Sequence, residues 1–162
     1  MQELTADDIR ASFVNADEHD LEILDLPLEA LVVDWYHLDF FAWRDPSNRS
    51  RCYAIAELDG VPTGIVLRAA SSQSRARSAI CNICRTMQPG NQVVMMSARK
   101  GGEAGEREET IATYMCADVS CHENVRIAYP LAPDEFRTNV DFRIDNTARR
   151  MRDFIRQVRD AT

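Results

Sequence analysis

The chain has 162 residues, 45% of them apolar and 28% charged, with a formal net charge of −7 at pH 7. That length predicts one domain with a real core, and no stretch approaches the roughly 20 apolar residues that a membrane-crossing helix needs. An isoelectric point near 5.0 argues against general nucleic-acid binding, because such domains are usually basic overall.

The charge is uneven. Residues 1–50 hold 12 acids and 3 bases, residues 51–102 hold 2 acids and 7 bases, and residues 103–162 hold 12 acids and 9 bases. The opening MQELTADDIR has acids where a secretory leader has an apolar run, so the expected location is cytoplasmic, with cysteines kept reduced. Thr5 and Asp8 have the spacing of a capping box, and Ile9 and Phe13 lie one turn apart behind them, predicting a short first helix. Residues 15–30 read as an acidic connector broken by Pro27. The aromatic run Trp35, Tyr36, Phe40, Phe41 and Trp43 is dense enough to close a core, and it is assigned to packing. Turn residues in DPSNRS, 45–50, predict a loop.

A hairpin follows. Cys52, Ala54, Ala56 and Leu58 alternate with Tyr53, Ile55 and Glu57; Asp59 and Gly60 form the turn, and Val61 to Leu67 return. Cys52 in this run reads as a buried free thiol acting as a small hydrophobe. The other four cysteines are spaced as two clamps, Cys81 with Cys84 and Cys116 with Cys121. A CxxC turn presents two thiolates to one ion, and a second short-spaced pair supplies the rest of a tetrahedral shell, so the pattern predicts a structural Zn2+ site. A thioredoxin-like redox pair needs no second clamp, and structural disulfides need an oxidising compartment.

Between the clamps, Gln92 to Ala98 and Thr110 to Met115 read as strands joined by a Gly-rich charged tip, Lys100 to Glu109. The second clamp reads as the entry to a helical turn. Toward the C-terminus, Asp145 or Asn146 is placed to cap a helix from about Thr147 to Arg159, with Ala148, Met151, Phe154, Ile155 and Val158 on one stripe. That helix either docks on its own domain or offers its arginines to a partner. The basic block, Arg51, Arg68, Arg75, Arg77, Arg85, Arg99 and Lys100, admits two readings: solvated strand edges with local compensation of a zinc tetrathiolate, or a surface that meets an acidic partner or phosphate.

A knuckle, a hairpin and a helical turn carrying the last two ligands is the element order of a treble clef. The run CNICRTM, the strand VVMMSARKGG and the segment YMCADVSCHENVR resemble the C-terminal treble-clef zinc finger of the elongation factor G-binding proteins, the family of FusB-type fusidic acid resistance proteins; FFAWRDPSNRSRCYAIAELDGVPTGIVLR resembles that domain's lead-in hairpin. The resemblance covers roughly residues 35–130. It implies an α+β treble-clef fold, Zn2+ held by Cys81, Cys84, Cys116 and Cys121, and binding to elongation factor G at or near the ribosome. Family members carry a helical domain before the finger, where this chain has an acidic stretch only about 35 residues long. The expected organisation is an acidic N-terminal segment, 1–34, with a short helix, followed by the zinc-binding domain with its C-terminal helix, 35–162.

No GxSxG, HExxH or P-loop is present, and the histidines are His19, His37 and His122. His122 abuts Cys121, but the shell is complete without it, and a shell of four thiolates leaves no open position for catalysis. The expectation is a non-enzymatic binding module with no small-molecule substrate and no membrane partner. A module that contacts ribosomal RNA is the alternative. On the first reading, Arg85, Arg99, Lys100 and Arg107, at the knuckle and the hairpin tip, are the residues expected to meet an acidic face of the factor.

Overall fold

The computed structural model describes residues 1–71, 76–127, 130–133 and 139–160; Arg75 of the basic block lies outside them. Its centre is a five-stranded antiparallel sheet in the order β1-β2-β3-β6-β7. These strands are β1 (Phe41–Arg44), β2 (Arg51–Leu58), β3 (Val61–Ala69), β6 (Val93–Arg99) and β7 (Thr110–Cys116). A separate two-stranded ribbon, β4 (Ser78–Ile80) with β5 (Met87–Pro89), carries the first clamp between its strands. The mixed architecture is the α+β class expected.

The β2–β3 hairpin turns at Asp59 and Gly60, with φ of 53° and 81°. Positive φ at both central residues matches the right-handed twist of the flanking strands, which is why Asp-Gly serves here. Alternation along β2 feeds two cores. Cys52, Ala54, Ala56 and Leu58 face one cluster with Met151, Phe154, Ile155 and Val158, while Tyr53 and Ile55 face another with Ile9, Leu24, Trp35 and Trp43. β2 is therefore covered on both faces.

The first face is covered by α5 (Val140–Arg159). This helix begins well before the expected Thr147. Its cap is Asn139, whose side chain accepts from the backbone N–H groups of Asp141 and Phe142. The added turns are held by Arg143, which is buried and donates to the carbonyls of Val125 and Ile127. Further along, Arg150 donates to the Ile83 carbonyl in the knuckle at 3.1 Å, and the Val158 carbonyl accepts from Gly101 N–H at 2.8 Å. The apolar stripe from Ala148 to Val158 is buried as expected, so the helix docks on its own domain.

The other face is covered by residues 1–40. The capping box on α1 (Ala6–Ser12) forms as read from Thr5 and Asp8. The connector is more ordered than expected: α2 (Glu18–Glu22) forms because the Asp17 carboxylate caps it, and two 3₁₀ turns follow at Leu28–Leu31 and Trp35–His37. The aromatic run packs as rungs. Phe41 stacks on Trp43 at 5.0 Å and Trp43 on Tyr53 at 4.8 Å, with Trp35 against Phe41 at 5.0 Å. Tyr36 is the exception, 84% exposed. The N-terminal segment crosses β3 at Gly64, where a Cβ would sit 2.7 Å from Ser12 Oγ and 3.0 Å from the Phe13 ring. Glycine is what lets that crossing close.

Among the described residues β3 and β6 pair at Arg68 with Ser97 and Ala69 with Met96, and Ala70 N–H continues to the Met95 carbonyl at 2.9 Å. Continuing that register would set Val66 opposite Arg99. Instead the buried Asn15 carboxamide lies between them, accepting from Val66 N–H at 2.8 Å and donating to the carbonyls of Val66 and Arg99 at 3.0 and 2.8 Å. One side chain thereby takes over the ladder bonds that two separating strands give up.

Candidate metal centre

Each clamp is placed by a different kind of element. Cys81 and Cys84 sit in the turn of the β4–β5 ribbon, which is closed by Cys81 N–H to the Thr86 carbonyl at 3.2 Å and Arg85 N–H to the Cys81 carbonyl at 2.9 Å. Arg85 takes a left-handed φ of 57° to complete it. Cys116 ends β7, opposite Val93, and Cys121 opens α4 (Cys121–Asn124). The turn between them holds Val119 at φ 58°, a costly conformation for a β-branched side chain that is buried here.

All four cysteines are buried, and their sulfurs lie within 4.8 Å of one another. Cys81 to Cys121 is 3.5 Å and Cys84 to Cys116 is 3.6 Å. Tetrahedral zinc with Zn–S near 2.3 Å requires about 3.8 Å between sulfurs, so the donor set has the right chemistry and nearly the right span. The electrostatics point the same way. Hydrogen bonds from Cys116, Cys121 and Cys81 drive the Cys84 thiol far below its ordinary range, while Cys116, Cys81 and Cys84 hold Cys121 well above it. Four thiols in one dry space cannot all ionise by themselves. A dication supplies the charge that lets all four be thiolates at once.

Polar groups around the sulfurs are arranged to accept that charge. Cys84 N–H points at Cys81 Sγ at 3.4 Å, the Thr86 hydroxyl lies 3.0 Å from Cys84 Sγ, and Asn124 Nδ2 donates to Cys116 Sγ at 3.3 Å and to Ser120 Oγ at 2.8 Å. Gln88 donates to the Thr86 hydroxyl at 2.9 Å, orienting it. Asn124 and Thr86 were not singled out from sequence. The available signal was spacing: Asn124 is one helical turn after Cys121, and Thr86 two residues after Cys84.

A family model, the FBP C-terminal treble-clef zinc-finger, matches residues 8–158. The chain belongs to this FusB-type family. No curated protein and no solved structure matches the chain. In this FusB-type treble clef the expected cofactor is Zn2+, and the buried cluster Cys81, Cys84, Cys116 and Cys121 is the set that would hold it. His122 turns the other way. Its Nδ1 lies 3.2 Å from Asp39 Oδ2, close enough for an ion pair but without hydrogen-bond alignment, and its ring meets Phe40 edge-on. Burial raises the Asp39 carboxyl, but His122 and Arg126 outweigh it and hold the group below its usual range. Cys52 is buried in the sheet core, and burial pushes its thiol up.

The four basic residues predicted at a partner surface are split. Arg99, Lys100 and Arg107 gather where β6 and β7 are joined through α3 (Gly102–Glu106), each beside an acid: Asp17 at 3.3 Å, Glu109 at 3.1 Å, and Glu109 at 3.1 Å with Glu103 at 3.9 Å. Arg85 lies in the knuckle, half-buried. Because Cys116 pairs with Val93 and Thr110 with Arg99, the clamp end and the tip end of this strand pair are separated by six residues, about 20 Å. Among the described residues no helix is long and apolar enough to cross a membrane.

Proposed function

We propose that this chain is a zinc-stapled protein-binding module that engages elongation factor G at or near the ribosome, in the cytoplasm, with no chemistry of its own. The observation that carries the reading is the family match over residues 8–158 together with a buried four-sulfur set, since four thiolates fill a zinc shell and leave no position for substrate. The basic contributors in this proposal are Arg85 on one side and Arg99, Lys100 and Arg107 on the other. Acids beside the tip group lower its attraction for bare phosphate, which favours a protein partner over ribosomal RNA.

The test is titration of purified, zinc-loaded protein with elongation factor G, beside capture from nuclease-treated lysate. Binding should survive nuclease and weaken only moderately between 50 and 200 mM salt, where a contact dominated by phosphates would lose orders of magnitude. Reversing Arg85, Arg99 and Lys100 together to Glu should slow association without loss of zinc. No binding to the factor at micromolar concentrations would refute the proposal.

A further inference from the structure

A groove of about 610 Å³ opens between residues 27–46 and the turn that carries the second clamp. Its lining is largely apolar, with Val33, Leu38, Phe41 and Trp43 on one side and Val119 on the other. Beside it the same segment holds four large apolar side chains in solvent: Leu28 is 80% exposed, Leu31 82%, Val32 83% and Tyr36 84%. Single exposed apolar residues are ordinary, but four within nine residues of the segment that walls the groove, with Val32 itself in the lining, mark this segment as an interaction site.

Charge identifies the occupant. From residue 11 to residue 43 the chain has eight Asp or Glu and no Lys or Arg. Asp17, Asp20 and Asp39 are paired with Arg99, Arg68 and Arg126. Asp25 and Glu29 on this segment and Glu123 on the opposite wall have no ion pair among the described residues. Arg44 is the one Lys or Arg in the lining, against Glu29 and Glu123. An apolar trough with an acidic margin complements an amphipathic helix whose apolar stripe is flanked by lysines or arginines.

We propose that this groove and the Leu28–Tyr36 patch dock a basic amphipathic helix of a protein partner, a reading that stands whether or not that partner is elongation factor G. The probe is a fluorescein-labelled 18-residue peptide of leucine and lysine, leucines spaced i, i+3, i+4 and i+7, added to the zinc-loaded full chain and followed by anisotropy. Controls are a scrambled peptide of the same composition and one with glutamate for lysine. The helical basic peptide should bind at least tenfold tighter than either. Leu31→Asp with Val32→Asp should weaken it at least tenfold while zinc content and far-ultraviolet circular dichroism stay unchanged, and Leu28→Asp alone should weaken it less. Equal binding of the scrambled peptide, or unchanged binding to the double variant, would overturn the proposal. So would a chain that self-associates in solution and becomes monomeric on the double substitution, because the occupant would then be a second copy.

Discussion

Asn15→Ala isolates the wedge between β3 and β6. The substitution removes three hydrogen bonds, to Val66 N–H and to the carbonyls of Val66 and Arg99, and leaves the buried Val66 groups without those partners. Net hydrogen bonds contribute about 1 kcal/mol each, and stranded buried groups add to the loss, so the expected destabilisation is roughly 2–4 kcal/mol. With a urea m-value of roughly 2 kcal/mol/M, the unfolding midpoint of the zinc-loaded protein should fall by about 1–2 M. Asn15→Asp is the sharper comparison. It is nearly the same size and keeps the acceptor for Val66 N–H, but it faces both carbonyls with oxygen in place of N–H, so it should destabilise at least as much as alanine. Hydrogen exchange at the Val66 amide should quicken in both variants. A near-neutral Asn15→Asp would show that the side chain matters by filling space, and the hydrogen-bond reasoning would be refuted.

Cys81→Ser should lose bound zinc and much of the fold, because metal-binding energy is folding energy, whereas Cys52→Ser should keep about one zinc per chain by atomic absorption; zinc retained after Cys81 and Cys116 are both replaced would remove the assignment. Asn124→Ala deletes the N–H donor to Cys116 Sγ and should weaken zinc about 10-fold or more in competition with a chelator, with the fold intact at saturating metal. Burial pushes the Tyr53 phenol up to about 12 from its ordinary 10.0, against hydrogen bonding from Arg51. A raised value means this contribution is complete below pH 10 and is lost as pH climbs toward 12, at about 1 kcal/mol per unit. Stability measured from pH 9 to 11.5 should therefore fall more steeply for the native chain than for Tyr53→Phe, and parallel slopes would contradict the burial argument.

Local patterns in the sequence carried as far as local physics reaches. The Thr5–Asp8 cap, the Asp59–Gly60 hairpin and the four-cysteine spacing each depend on residues close together along the chain, and each appears as read. What escaped depends on distant partners. β1 is four residues, FAWR, and becomes a strand only through pairing with Cys52 to Ile55. The first turns of α5 look like a polar lead-in because Arg143 and Asp145 mask them; Arg143 is tolerated in the interior only because the carbonyls of Val125 and Ile127, 18 and 16 residues away, receive it. Asn15 reads as a loop residue until β3 and β6 are known to separate beside it. Arg85 at the knuckle and Arg99, Lys100 and Arg107 at the hairpin tip read as one surface, but sequence does not give the distance between knuckle and tip, and the length of the β6–β7 strand pair sets them apart. Exposure of Leu28, Leu31 and Val32 was equally hidden, since an apolar residue in sequence does not announce which side of a core it misses.

The wedge and the clamps together set a timetable for synthesis. Asn15 meets Arg99 across 84 residues and Arg126 meets Asp39 across 87, so part of what holds the N-terminal third is made long after it. Cys81 and Cys84 likewise appear first and wait for Cys116 and Cys121. Contacts of such long span form slowly. A nascent chain therefore spends its synthesis with Cys52, Ala54, Ala56 and Leu58 uncovered until α5 is made and with half a metal shell open, and zinc closes the fold late. Scarcity of the metal would lengthen that interval, making yield of folded protein sensitive to zinc supply during translation rather than only to zinc affinity afterwards.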